Sequence, residues 1–208
     1  MTSGYRQAVA TKVARRTQAE RTEATTSALV DAARELFARD GYAATSLAAV
    51  AARADVTKGA VYHHFEGKQQ LFEAVFTREV ERMAVPVAEA HSHKKDPWEA
   101  FKAGCRAFLD ECLDPDLQRI VLLDALTAIG WEQVRRLEAP LLKMMELGIV
   151  QAAEAGRIAP RPPEPLASFL YGALCETAMI VARADDQKVA HRQAITEIGR
   201  ILDGLAID

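Results

Sequence analysis

Residues 57–65 read Thr57-Lys58-Gly59-Ala60-Val61-Tyr62-His63-His64-Phe65. Thr57 is a good helix N-cap, because its hydroxyl can accept a hydrogen bond from a free backbone N–H of the first turn. Val61 and Phe65 stand four residues apart and so share one side of a helix that Gly67 ends, while Lys58, Gly59, Tyr62 and His63 point elsewhere. The stretch predicts a short helix anchored from behind by apolar side chains, with polar groups and little bulk at its N-terminal end.

Thr45 or Ser46 caps a preceding helix whose inward positions are Leu47, Val50, Ala51 and Ala54, and Asp55-Val56 supplies the turn between the two. Before that, Leu29, Ala32, Ala33, Leu36 and Phe37 recur at the spacing of one amphipathic face, with Thr25 or Thr26 as the cap and Gly41 as the stop. After Gly67 a long helix starts near Lys68, with Leu71, Phe72, Val75, Phe76 and Met83 on its apolar side. It runs to Pro86 or to the polar run His91–Lys95. Beyond Pro97 the pattern predicts helices over about 97–113, 116–130, 131–155, 165–184 and 187–206, broken at the proline-rich stretch 160–165. No strand pattern, internal repeat or low-complexity tract interrupts it. The fold class expected is all-α. A basic flexible arm occupies 1–24, a three-helix unit 25–69 and a larger helical unit 70–208, the fourth helix linking the two.

Composition agrees. Half of the 208 residues are hydrophobic, 26% are charged and alanine is abundant, which suits a globular helical chain. The net charge of −3 hides an asymmetry: residues 1–82 carry a net +2 and the rest −5. Arg6, Lys12, Arg15, Arg16 and Arg21 against the single acid Glu20 make residues 1–22 a basic arm. Binding phosphate requires local, not global, positive potential, so an acidic body with a basic end fits a nucleic-acid partner, and a solvated tail without a partner fits equally well. Cys105, Cys112 and Cys175 lack metal or disulfide spacing and read as reduced cysteines of a cytoplasmic protein. The start of the chain has no unbroken apolar stretch of the signal-peptide kind, and Leu166–Ala182, interrupted by Glu176, reads as a buried helix, not a membrane span.

A helix that reads DNA must be short, polar at its N-terminal end and supported from behind, and 57–65 has all three features. Lys58 can donate to guanine or phosphate, Gly59 lets the backbone approach the groove, and Tyr62 can reach phosphate or a thymine methyl. Thr45, Thr57 and Lys68 sit at helix N-termini, where free N–H groups favour phosphate. The run Thr45-Ser46-Leu47, Ala51, Asp55 to Phe65, Lys68 and Leu71-Phe72 resembles the DNA-binding domain of the TetR/AcrR family. That resemblance implies an all-α homodimer with a helix-turn-helix domain and a C-terminal ligand-binding and dimerisation domain whose last two helices form an intersubunit four-helix bundle. It implies DNA contacts by Thr45, Thr57, Lys58, Gly59, Tyr62, His63 and Lys68, and packing roles for His64 and Phe65. Ala48 and Ala49 stand where many relatives carry longer polar side chains, which leaves the basic arm to reach a minor groove.

The C-terminal half shows no catalytic triad order, phosphate loop, HExxH or paired carboxylates, so no enzyme and no cofactor are expected. A metal is not expected either: His63 and His64 point about 100° apart on a helix, and His91 and His93 fall in a solvated linker. Phe101, Cys105, Phe108 and Cys112 form a stripe that serves either core or pocket. Leu122, Leu126, Trp131, Met144, Met145 and Met179 admit the same two readings, while Glu176 and Asp124, in apolar surroundings, pair with a polar group of a ligand or with a neighbouring arginine, or lie at the surface. The candidate ligand set is Phe101, Cys105, Phe108, Leu122, Leu126, Trp131, Met145, Glu176 and Met179. The last two helices are apolar over more than one stripe, so one face is left for a second copy of the chain. The expected function is a transcriptional repressor that binds a palindromic operator as a dimer and releases it when a small, apolar effector binds. The alternative is a constitutive or architectural DNA-binding dimer. Either would be cytoplasmic, and nucleoid-associated when on DNA.

Overall fold

Thr17 starts the first helix. Its hydroxyl accepts from the Glu20 N–H at 3.2 Å and its own N–H donates to the Glu20 carboxylate at 2.6 Å, a reciprocal cap that satisfies two free backbone donors. The computed structural model describes residues 17–207. In it α1 spans Gln18–Ala44. The expected cap at Thr25 or Thr26 is therefore corrected: both hydroxyls donate inside the helix, to the carbonyls of Arg21 and Thr22. The part of the expected arm over 18–24 is helical and Thr17 is its cap, while residues 1–16 lie outside the described residues. The chain leaves helical geometry at Gly41, where φ is 81° and ψ is 166°, a region essentially restricted to glycine.

Two caps and the turn between them then set the N-terminal unit. Ser46 accepts from Ala49 to start α2 (Leu47–Arg53), Asp55 takes a positive φ of 54° in the turn, and Thr57 accepts from Ala60 to start α3 (Lys58–His64). A fourth helix, α4 (Lys68–Ser92), passes through Pro86 instead of stopping there, although that residue has no N–H to give the Arg82 carbonyl. Leu29, Ala33, Phe37, Val50, Val61, Leu71 and Phe72 are buried together, and Phe37 and Tyr42 meet the Phe72 ring edge-on at 5.0 and 5.1 Å.

Asp96 caps α5 (Pro97–Glu111), accepting from both Trp98 and Glu99. Next come α6 (Pro115–Leu117), a π-helical turn over Gln118–Asp124 and α7 (Ala125–Ile129), ended by Gly130 at φ 78°. The single helix expected over 116–130 is thus wound wide in its middle. The helix expected over 131–155 is two, α8 (Trp131–Leu137) and α9 (Ala139–Glu154). Pro140 can donate nothing to the Arg136 carbonyl, and the break falls at Glu138. Finally, α10 (Pro163–Ala182) and α11 (Gln187–Asp203) close the chain. By length and composition α10 could cross a membrane, and only 33% of its most apolar window is buried, so it is less enclosed than the sequence implies.

The two units are joined by charge as well as by α4. Arg34 on α1 donates to Glu79 on α4 at 2.7 Å and to Asp116 on α6 at 3.1 Å, while Arg82 donates to both Glu79 oxygens at 3.0 Å. The Tyr42 N–H donates to the Asp124 carboxylate at 2.7 Å, and Arg119 holds the same oxygen at 3.2 Å. Asp124, expected to meet either a ligand or an arginine, thus ties the end of α1 to the π-helical turn.

Candidate DNA-contacting surface and regulatory cavity

On the outer face of α3, Lys58, Gly59, Tyr62 and His63 are all exposed, Tyr62 by 53%. The Lys58 ammonium stands 5.9 Å from the Tyr62 ring, so the two form one amphipathic patch near the start of the helix. Behind it Val61 and Phe65 are buried. His64 is half-buried, with Nδ1 3.0 Å from the Thr26 hydroxyl, which pins the end of α3 to α1. Thr57 is exposed at the cap.

Two of the expected phosphate contacts are placed differently. Thr45 is buried, and its hydroxyl donates to the Leu36 and Gly41 carbonyls at 3.2 and 2.9 Å. Ser46, not Thr45, is the exposed cap of α2. The Lys68 ammonium donates to the carbonyls of Tyr42, Ala43 and Thr45 at 2.8, 3.2 and 3.0 Å and lies 4.4 Å from the Tyr42 ring. It therefore closes the C-terminal end of α1, where free carbonyls favour a cation. Of the expected DNA contacts, Thr57, Lys58, Gly59, Tyr62 and His63 are the ones left exposed. Among the described residues no three metal-binding side chains cluster.

In the larger unit an apolar cavity of about 230 Å³ lies between α4, α5, α9 and α10. Of the expected ligand residues, Phe101, Cys105, Phe108 and Met145 line it. Leu122, Leu126, Trp131, Glu176 and Met179 do not. Leu122 is buried within the π-helical turn, Leu126 and Glu176 are exposed, and Trp131 is 64% exposed, with Arg135 against its ring. The sequence reading missed Val87, Ala88 and His91 of α4, and Leu141, Gly148 and Gln151 of α9. The α9 set was findable: Leu141, Met144, Met145 and Gly148 repeat at helical spacing. Gly148 is needed for its bareness, since a Cβ there would sit 2.8 Å from the Phe101 ring.

Burial pushes the Cys105 thiol up to about 12, so it is a protonated wall atom and not a nucleophile. Behind the cavity, the Tyr171 hydroxyl is closed off beside Glu138 and Cys175, and burial raises it well above its ordinary range. Burial likewise raises the Glu138 carboxyl, against the pull of Arg135. Its folded value therefore lies above its unfolded one, and the fold is penalised as pH rises through the folded value. Glu138→Gln should raise the thermal midpoint near pH 8 and change it little near pH 4. A parallel shift at both pH values in calorimetry would contradict this.

Residues 29–75 match the family described as bacterial regulatory proteins, tetR family, and residues 98–205 match the tetracyclin repressor-like C-terminal domain. The second match covers more than half of the chain. This protein belongs to the TetR family. A TetR-family regulator from Pectobacterium atrosepticum is 33% identical and superposes with a TM-score of 0.81, over 93% of this chain and 99% of that one. The transposon Tn10 TetC protein of Escherichia coli is 30% identical over 120 residues, which span 58% of this chain and 60% of TetC, less than two thirds of its length. RolR, in complex with resorcinol, shares the fold at a TM-score of 0.68 and 19% identity, over 90% of this chain and 95% of RolR.

Proposed function

We propose that this TetR-family regulator is a ligand-responsive repressor that binds a palindromic operator as a homodimer and leaves it when an effector enters the cavity. The observation that carries this reading is the sharing of α4. Leu71 and Phe72 at its start are buried in the core of the DNA-binding unit, and Val87, Ala88 and His91 near its end form part of the cavity wall. A ligand that fits only one arrangement of that wall biases the position of the whole helix, and with it the separation of two α3 helices. A cavity of this kind favours ligand response over the constitutive alternative. The RolR structure shows that this fold can hold a small molecule in at least one protein.

Dimerisation is assigned to α10 and α11. Phe169 is 69% and Ile180 61% exposed on α10, and Ile201 is exposed on α11, an apolar surface that a second copy would cover. The division into a DNA-binding unit ending near residue 69 and a ligand and dimer unit beyond it, and a cytoplasmic location on the nucleoid, belong to the same reading. The basic residues before Thr17 are assigned to a neighbouring minor groove.

Titrating the dimer with operator DNA at rising salt tests the proposal. Each phosphate contact adds about −0.9 to the log–log slope, so several contacts give a steep dependence, and a flat one would sink DNA binding by this surface. A compound that fills the cavity but leaves operator affinity unchanged would remove the ligand-responsive part.

A further inference from the structure

The chemistry of the cavity wall defines what it can hold. Twelve of its lining residues are Val, Ala, Phe, Gly, Cys, Leu or Met, and none is Asp, Glu, Lys or Arg. The three others are His91, Gln151 and Tyr171. Because the Tyr171 hydroxyl has no accessible surface, only its ring is offered to the cavity. Hydrogen-bonding capacity is therefore confined to one end, where His91 near the end of α4 faces the same space as Gln151 of α9.

A second observation marks that end as a threshold. His91 and Gln151 also line an outer, more open pocket, whose other residues include Lys94, Lys95 and Glu154. Charge is available there in both signs, but only outside the pair. A charged group carried past His91 and Gln151 would lose its water and find no counter-ion, which is strongly unfavourable. A neutral donor or acceptor left between them keeps hydrogen bonds in place of those it had in water. Size follows from volume: a 150 Å³ cavity holds benzene, so a 230 Å³ space takes about ten non-hydrogen atoms.

We propose that the cavity selects an uncharged, compact, largely apolar molecule of about ten non-hydrogen atoms, with one hydroxyl or carbonyl placed between His91 and Gln151. This rests on the reading of the cavity as an effector site, and it adds the polarity, the size and the orientation of the effector. The apolar body lies against Phe101, Phe108, Met144 and Met145, and the polar atom points to the outer pocket.

The structure supplies its own reporter. Trp98 is stacked on Phe101 with ring centroids 5.0 Å apart and planes within 4°, and Phe101 lines the cavity. The other tryptophan, Trp131, lies away from the cavity, so Trp131→Phe leaves Trp98 as the sole indole. In that background, full-length protein is titrated with four probes of one skeleton: naphthalene, 2-naphthol, 2-naphthoate and 2-naphthylmethylamine. Binding is read by Trp98 fluorescence and by calorimetry, with operator affinity measured in parallel. The expected result is that 2-naphthol binds about tenfold more tightly than naphthalene and more tightly than either charged probe. In His91→Leu or Gln151→Leu, both at a partly exposed edge where the fold tolerates change, 2-naphthol should fall towards naphthalene while naphthalene is unaffected. Tighter binding of the carboxylate or the amine, or equal binding of naphthol and naphthalene, would overturn the selection rule and leave the effector reading standing. No binding of any probe by protein that still binds operator would overturn both.

Discussion

Replacing Glu79 with alanine should lower the free energy of unfolding by about 3 kcal/mol, the low end of the range for breaking a buried ion pair. Glu79 is 1% exposed, so its carboxylate depends wholly on Arg34 and Arg82 for the interactions it gives up with water. Removing it leaves the mostly buried Arg34 guanidinium, whose pKa the Glu79 hydrogen bond raises above its ordinary value, with only the half-exposed Asp116 as counter-charge. Partial solvent access to both arginines keeps the cost at the low end. Asp116→Ala, at the half-exposed arm of the same network, should cost less than about 1 kcal/mol. The pair Arg34→Met with Glu79→Leu should recover most of the loss, because replacing both charges removes the desolvation cost along with the attraction. Urea unfolding of the three variants and the parent measures this. A Glu79→Ala protein within 0.5 kcal/mol of the parent would contradict it. The network also bears on the proposed regulation, since Arg34 on α1 holds both Glu79 of the shared helix α4 and Asp116 of α6 in the larger unit. Loosening it should weaken the effect of an effector on operator affinity more than it weakens operator affinity itself.

Part of this was legible in the sequence, for reasons that differ from element to element. The face of α1 and the buried support of α3 follow from spacing alone, because a helix returns to the same side every third or fourth residue, and Thr57 follows as a cap from its residue type, whereas spacing left Thr45 and Ser46 as equal candidates for the cap of α2. The true start of α1 was written as Thr17-x-x-Glu20, a capping-box signature masked by two further threonines at 25 and 26. Proline misled in both directions: Pro86 sits inside a helix whose packing outweighs one lost hydrogen bond, whereas Pro140 coincides with a break. For the cavity, periodicity named stripes but could not say which of them face a void. Trp131 and Leu126 belong to an apolar pattern and still end up exposed. What separates a lining residue from a core residue is the volume left by side chains on other helices, and that is a property of the assembled set.

Lys68 gives the sharpest separation between a structural and a DNA-facing role. Its ammonium is held by three carbonyls at the end of α1, and a charged hydrogen bond of this kind is worth roughly 1.5–3 kcal/mol. Lys68→Met should therefore destabilise the protein by about 2 kcal/mol and loosen the loop that carries Thr45 and Ser46. Among the described residues Lys58 has no such partner beyond the Tyr62 ring it lies over, and it projects from the exposed side of α3. Lys58→Ala should leave stability within about 0.5 kcal/mol while weakening operator binding about 10- to 100-fold. Salt titration completes the contrast. If Lys58 meets a phosphate, its loss flattens the log–log slope by about 1, whereas Lys68→Met keeps the slope and lowers affinity only through the fraction folded and the misplaced loop. The opposite pattern, a flatter slope and full stability for Lys68→Met, would return Lys68 to the phosphate backbone. It would also mean that the three carbonyl bonds are exchanged for DNA on binding, so that the end of α1 reorganises when the regulator reaches its operator.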